Sequence, residues 1–250
     1  MPNNLNRNYK GHELFIASMQ DQFNLVHLRK KSIVTSFLSL SQQEIIRQIC
    51  PDILHYSFYG GFENAIRKVC CIQIDDCDTD YEVCCLSSKI DSRFKDINHR
   101  DILGSLMSLG IERNQIGDLV IDQGYVYIFC KTKISEYIIN YCTFIKKVPV
   151  SLNRIDSCEL HVQMFKEIHI NCASLRLDAI VAQLAHCSRK EAMNKIQRKS
   201  VKLNDIELEQ NRQLCLNDIV SIHRIGKFIY KGIVSKTKKD RMILKFDQFI

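Results

Sequence analysis

The chain has 250 residues, of which 46% are hydrophobic and 25% charged, and its formal net charge is +7. These values are typical of a soluble globular protein with one large or two to three small domains. No apolar run approaches the ~18 residues that a membrane span needs, and the N-terminus lacks the apolar core of a signal peptide, so the sequence predicts a cytoplasmic protein without a membrane segment.

The positive charge is concentrated in the last third of the chain. Residues 174–250 contain 16 Lys and Arg against 8 Asp and Glu, whereas the remaining 173 residues contain 19 against 20. A neutral body with a basic terminal domain is typical of proteins that bind phosphates of a nucleic acid. A basic surface without a partner is the alternative that charge alone leaves open.

The twelve cysteines favour buried thiols over disulfides or a metal site. The adjacent pairs Cys70-Cys71 and Cys84-Cys85 lie in apolar, strand-like runs, and no C-x-x-C spacing occurs. The nearest approach to a metal-ligand spacing is His169-x-x-Cys172, which has no second pair to complete it. We therefore predict neither a metal nor a cofactor.

Residues 1–50 read as helical scaffold. Apolar residues recur near helical spacing in the first half of this segment at Leu14, Phe15, Met19, Phe23, Val26 and Leu28. Ser41 and Glu44 have the spacing of a capping box for a second helix, which Pro51 should end.

Residues 52–75 change to strand-like patterning, with one strand before Gly60-Gly61 and another at VCCIQI. The glycine pair favours a tight turn, because a nucleotide-binding loop would need a G-x-x-x-x-G-K-[ST] continuation. The acidic residues between Asp75 and Glu82 lack the register of a calcium loop, so a solvated linker is favoured.

Residues 81–153 predict the element order βαββαβ, which is the ferredoxin-like arrangement of RNA-recognition folds. The first helix should be capped by Asn98 and end at Gly110, and a hairpin should turn at 122–124. His99-Arg100-Asp101 lies at the N-terminus of this predicted helix, and that position favours a capping role or an RNA or ribosome contact over catalysis. Tyr125, Tyr127 and Phe129 share one strand face, where core or interface packing is favoured and a base-stacking platform remains the alternative.

The C-terminal segment predicts two short helices and strands. Residues 159–170 alternate as a strand, Ser174 should cap a helix over 175–185, and Ser188 with Glu191 should form a capping box for the next. Basic residues follow on and near the exposed side, in an arc suited to closely spaced RNA phosphates. The predicted RNA-binding residues are Arg176, Arg189, Lys190, Lys195, Lys199 and Lys202, with Arg198, Arg224 and Lys227 weaker.

At this point the segment resembles the RNA-binding domain named after the fourth small-subunit ribosomal protein. The resemblance is carried by the motifs R-L-D at 176–178, S-R-x-x-A at 188–192, the stretch 196–204 and N-D-x-V-x-I at 217–222. The family usually has glycine where this chain has Lys199, Asp205 and Asn217. Asp and Asn tolerate left-handed backbone geometry, whereas Lys199 is the harder exchange to explain.

Further stretches, both upstream and near the C-terminus, make the chain similar to the YlmH family of bacterial RNA-binding proteins. These stretches are YSFYGGFENAIRKVCCI, HRDILGSLMSLG with the following GDL, and KTKKD near the C-terminus. The resemblance implies a non-enzymatic quality-control factor of translation, and we expect the protein to be a monomer. Its implied partners are rRNA, tRNA and the large ribosomal subunit with an obstructed peptidyl-tRNA.

Together these observations predict an α+β protein with three parts. A helical and strand region should span 1–75, a ferredoxin-like, RNA-recognition-like domain 76–165, and a small α+β RNA-binding domain 172–250. The rival class is an RNA-modifying enzyme, such as a pseudouridine synthase or a methyltransferase, that uses the last domain as an anchor. The sole R-L-D lacks the preceding glycine of a pseudouridine synthase motif, and no Gly-rich methyltransferase loop is present, so binding is favoured over catalysis.

Overall fold

The computed structural model describes residues 9, 11–75, 78–91, 97–156, 160, 165–208, 210–238 and 240–250. The chain divides into two compact units, and each has its own core. One unit comprises residues 1–18, 44–49 and 163–250, and the other comprises 19–43 and 50–162. Within the described ranges, no helix is long and apolar enough to cross a membrane.

The N-terminal segment forms two helices and a small antiparallel sheet with the strand order β1-β3-β2. The elements are α1 (Glu13–Arg29), β1 (Ile33–Val34), α2 (Leu40–Ile49), β2 (His55–Tyr59) and β3 (Val69–Gln73). Of the apolar residues at helical spacing in α1, Met19, Phe23 and Val26 are buried, whereas Leu14 and Leu28 are exposed.

The capping box of α2 lies two residues earlier than predicted. The backbone N–H of Ser39 donates to Oε1 of Gln42 at 2.9 Å, and Ser39 Oγ accepts the N–H of Gln42 at 3.4 Å. Ser41, the predicted cap, is buried inside the first turn. Both pairs have the same i, i+3 spacing, so the sequence pattern alone did not separate them.

Residues 83–155 form the predicted ferredoxin-like domain. Its elements are β4 (Val83–Lys89), α3 (His99–Ser108), β5 (Ile116–Asp122), β6 (Tyr125–Lys131), α4 (Ser135–Tyr141), β7 (Phe144–Ile145), β8 (Val148–Pro149) and β9 (Asn153–Ile155). The antiparallel sheet has the order β5-β6-β4-β9, and β7 pairs with β8 in a separate hairpin. The α+β class and the βαββαβ order are confirmed.

The predicted local signals of this domain are present. Asn98 Oδ1 accepts the backbone N–H groups of Arg100 and Asp101, and the Asp101 carboxylate accepts the backbone N–H of Asn98. The prediction that this position caps the helix is therefore confirmed. Gly110 follows the helix at φ +77°, and the hairpin turns at Gln123 and Gly124 with positive φ.

Asp118 ties the segment after the glycine pair to β5. Its carboxylate is buried and accepts the backbone N–H groups of Ile66 and Arg67. The Arg67 side chain donates in turn to the carbonyl oxygens of Ile116 and Phe37. Gly61, at φ +97°, lies against the Phe129 ring, where any side chain would collide, so the glycine pair serves a close approach.

The C-terminal segment forms a six-stranded antiparallel sheet with two helices packed on one face. Its elements are β10 (Phe165–Cys172), α5 (Leu177–Leu184), α6 (Arg189–Gln197), β11 (Val201–Leu203), β12 (Ile206–Glu207), β13 (Ile219–Ile222), β14 (Gly226–Lys236) and β15 (Met242–Phe249). The strand predicted over 159–170 is observed from Phe165; residues 159 and 161–164 lie outside the described ranges. The predicted Ser174 cap is wrong, because α5 begins at Leu177 with Arg176 as its N-cap residue.

Candidate nucleic-acid interface

Two predicted RNA-binding arginines are held by one buried carboxylate, Asp178 in the first turn of α5. Arg189 Nη2 lies 2.7 Å from Asp178 Oδ2, and Arg176 Nε lies 3.1 Å from Asp178 Oδ1. Asn211 completes the cluster by donating its side-chain amide to Asp178 Oδ1 and accepting the Asp178 backbone N–H. The two guanidinium groups are thereby fixed relative to each other.

The Asp178 cluster keeps its carboxylate charged and its cations accessible. Burial raises the pKa of Asp178, but hydrogen bonds from Asn211, Arg189 and Arg176 outweigh it, so the pKa lies below its ordinary value. The side chain of Asp178 is 6% exposed, whereas those of Arg176 and Arg189 are 53% and 57% exposed. An ordered, half-exposed guanidinium pair can contact phosphates with little further loss of side-chain freedom.

Helix α6 extends this basic surface. Ser188 and Glu191 form the predicted capping box, and Ala192 and Ile196 are buried against the core. Lys190, Asn194 and Arg198 recur at i, i+4 spacing on the exposed side. Lys195 is half-buried on the flank of the helix, one turn after Glu191.

A second cationic group lies at the other end of α6, about 14 Å along the helix axis from Arg189. Arg198 and Lys199 end the helix, where the negative end of the helix dipole favours cations. The backbone N–H of His223 donates to the Ser200 carbonyl, which brings the β13–β14 turn and its exposed Arg224 to the same end.

Lys202 and Lys227 lie apart from these groups, on the opposite face of the sheet. Val201 and Leu203 point into the core under α6, so Lys202 between them points away, and Lys227 aligns with it through Ser221. Lys202 pairs with Glu207 at 3.6 Å, and Lys227 pairs with Asp205 at 3.2 Å and lies over the Phe249 ring. The structure therefore divides the nine predicted residues between two faces.

The three positions where the resembling family has glycine all adopt left-handed backbone geometry. Lys199, Asp205 and Asn217 have φ values of +57°, +67° and +66°. The backbone at these three positions therefore has the geometry that glycine adopts most easily. At Lys199 the replacement adds a cation at the end of α6.

We expect the free energy of unfolding of Lys199→Gly to exceed that of Lys199→Ala by about 1 kcal/mol. Both variants lose the lysine side chain, but only alanine is strained in the left-handed backbone geometry of this position. Chemical denaturation of the two variants measures this difference. Both should bind RNA more weakly than the parent chain, by equal amounts. Equal stabilities of the two variants would contradict a strained backbone at this position.

Sequence reasoning missed the organising role of Asp178 and the contribution of Asn211. The signal available was the Asp of the R-L-D motif, which lies two residues after one arginine and eleven residues before another. Asn211 had no local signal, because it lies 33 residues after the carboxylate that it binds.

The sheet face of the ferredoxin-like domain is partly covered within its own unit. Phe129 is fully buried, with its ring centroid 4.8 Å from that of Phe62, which confirms the core reading for this residue. Tyr127 is half-buried, and Tyr125 is 38% exposed at the end of the strand. The central strands therefore lack the open row of aromatic rings on which RNA-recognition domains stack bases.

The described residues contain no group of three or more His, Cys, Asp or Glu side chains arranged to hold a metal ion. His169 is exposed and Cys172 is buried, on opposite faces of β10. Seven of the ten described cysteines are buried, as the apolar context of their sequence predicted.

Comparison with known proteins agrees with the architecture. Residues 77–159 match the family described as "Putative RNA-binding domain in YlmH". The resemblance to the YlmH family is confirmed. The chain is 26% identical over 247 residues to "Ribosome-associated protein quality control protein P2" of Bacillus subtilis (strain 168), with 96% of each chain covered.

The YlmH resemblance extends to a solved structure, "Cell division protein ylmH from Streptococcus pneumoniae". The TM-score is 0.52 at 19% identity, with 62% of this chain and 95% of that chain covered. At that identity the likeness concerns the fold. The narrower resemblance of residues 172–250 to the domain named after the fourth small-subunit ribosomal protein stays a prediction.

Proposed function

We propose that the chain is a non-enzymatic RNA-binding factor that acts on the ribosome in translation quality control. The observation that carries the proposal is the arrangement on α5 and α6, where the Asp178-held arginine pair and the Arg198 end bracket an exposed basic helix face. The match of residues 77–159 to an RNA-binding family and the name of the Bacillus subtilis relative support the same class of function.

The finer proposal is that a cytoplasmic monomer binds rRNA and tRNA on a large subunit carrying an obstructed peptidyl-tRNA. Residues 172–250 would supply the main phosphate contacts, and residues 76–165 would make a second contact with the same large subunit. Cosedimentation with purified large subunits, with and without peptidyl-tRNA, tests this level. Equal recovery on both kinds of subunit would contradict the dependence on an obstructed tRNA.

An enzymatic role for the R-L-D motif is disfavoured by its geometry. A catalytic Asp must reach a reacting nucleotide, but both carboxylate oxygens of Asp178 are engaged by Arg176, Arg189 and Asn211, and the group is buried. The motif therefore positions cations in this chain.

The double variant Lys190→Ala with Arg198→Ala is expected to weaken binding to structured RNA and to flatten its salt dependence. These two side chains are exposed on one helix side and hold no described acidic partner, so their loss removes charge without breaking the Asp178 cluster. The slope of log K against log salt should become shallower by about one unit per lost phosphate contact. Filter-binding titrations across a salt series measure it.

The matched control is Lys31→Ala with Lys166→Ala, which removes the same charge from exposed positions outside α5 and α6. This control should retain the slope of the parent chain. If both double variants shift the slope equally, net charge alone governs binding, and the assignment to α6 is wrong.

A further inference from the structure

A groove on the helical side of the ferredoxin-like domain combines exposed aromatic rings with cations. It lies between α3, the end of α4 and the β7–β8 turn, and its volume is about 480 Å³, within the usual range for small-molecule sites. Tyr141 and Phe144 at its rim are 60% and 57% exposed. Both rings are more exposed than Tyr125 and Tyr137, the other large exposed aromatic side chains of this domain, and neighbouring exposed rings are a feature of binding surfaces.

The aromatic rim is ordered. The ring centroids of Tyr137 and Tyr141 lie 4.7 Å apart, and the Tyr137 hydroxyl donates to the Leu109 carbonyl at 3.2 Å. The β7–β8 turn is fixed to α3, because the Lys146 backbone N–H donates to Ser105 Oγ at 3.3 Å. The rings are therefore presented on a fixed support.

The cations of the groove favour an anionic ligand, and its aromatic rings favour a planar one. Arg100 on the α3 wall and Lys146 on the turn line the groove, and both side chains are exposed. Asp101 is already engaged as the helix-capping carboxylate and by Lys146 at 3.8 Å. Ser108 and Thr143 add hydroxyl groups to the lining, which can bond base edges or a ribose 2′-OH.

The floor of the groove is open because of Gly104. A Cβ built at this helical position would meet no atom within 4 Å, so the glycine is not required by packing. Glycine inside a helix lowers stability by ~1 kcal/mol relative to alanine. An open floor at that cost fits a position where a ligand approaches the helix.

We propose that this groove binds a nucleotide of single-stranded RNA, with a base stacked on Tyr141 and Phe144 and its phosphates near Arg100 and Lys146. The domain would thus use its helical side in place of the sheet face that Phe62 and Phe129 close. The inference rests on the proposed RNA-binding function and adds a second contact site remote in sequence from α6.

The test uses the full chain and a short fluorescein-labelled oligouridylate, followed by fluorescence anisotropy. Tyr141→Ala with Phe144→Ala should weaken binding about tenfold or more, because stacked bases contribute on that scale. Tyr141→Phe should bind as the parent chain does, because the ring remains. Tyr125→Ala, an exposed aromatic on the sheet face, is the matched control and should retain parental affinity.

Gly104→Gln separates loss of binding from loss of stability, because a folding defect would lower both the melting temperature and the RNA affinity. Glutamine fills the groove and favours the helix, so the variant should melt at a higher temperature and bind the oligouridylate more weakly. Parental affinity in this variant and in the Tyr141, Phe144 pair would overturn the proposal, as would loss of binding in Tyr125→Ala alone.

The failures of the two proposals are distinguishable. If the chain binds structured RNA through Lys190 and Arg198 but the groove variants bind oligouridylate normally, only the groove assignment fails. If the groove variants keep RNA affinity but lose a ribosomal protein contact, the groove is a protein site and the inference is again wrong. If the chain binds neither RNA, the proposed function fails with it.

Discussion

Asp178→Asn is expected to weaken binding to structured RNA about tenfold, although it raises the net charge of the chain by one. The Asp178 carboxylate holds Arg176 and Arg189 in place, and an amide cannot accept from both guanidinium groups as strongly. Loss of these charge-assisted bonds should also lower the free energy of unfolding by about 2 kcal/mol. Filter binding and chemical denaturation measure the two effects.

The control for this prediction is Asp240→Asn, which makes the same charge change at an exposed residue of the β14–β15 turn. It should bind RNA at least as tightly as the parent chain. Tighter binding by Asp178→Asn as well would show that net charge, and not the position of the arginines, sets the affinity.

The pH dependence of stability gives an independent check on Asp178. Its folded pKa lies below the ordinary value of about 3.9, so the carboxylate contributes stability above that pH and loses it as the pH falls through the folded pKa. The stabilities of the parent chain and Asp178→Asn should therefore converge at the acid end. A constant difference down to the lowest pH would argue against the ion cluster.

Asp118→Ala is expected to lower the free energy of unfolding of its unit by about 3 kcal/mol, because two partly buried backbone N–H groups lose a buried acceptor. Ile66 and Arg67 donate these N–H groups, and burial raises the pKa of the Asp118 carboxyl despite their bonds. Hydrogen exchange should accelerate over residues 60–68 and along β5. Thermal melts and exchange measured by mass spectrometry provide the readouts.

Asp52→Ala, at an exposed position before β2, is the matched control for the loss of one carboxylate. Its stability should stay within about 0.5 kcal/mol of the parent chain. If Asp118→Ala is equally mild, the carboxylate does not anchor the segment that follows the glycine pair.

Local sequence signals determined much of the architecture. The alternation of β4 and β6, the Asn98 cap, Gly110 after α3 and the Gln123-Gly124 turn each act over a few residues, so the βαββαβ order followed from the sequence. The errors at Ser41 and Ser174 arise because capping patterns are local. Ser39 offers the same i, i+3 pattern as Ser41, and α5 begins after Arg176, which makes no side-chain capping bond.

The sequence also determined where cations are abundant, because charge counts need no structure, and it marked Lys199 as an unusual occupant of a glycine position. Only the tertiary structure decided how these cations are arranged. Asp178 meets Asn211 across 33 residues, and strand pairing turns Lys202 and Lys227 to the face away from α6. Such placements depend on long-range packing, which fixes partners that no local pattern encodes.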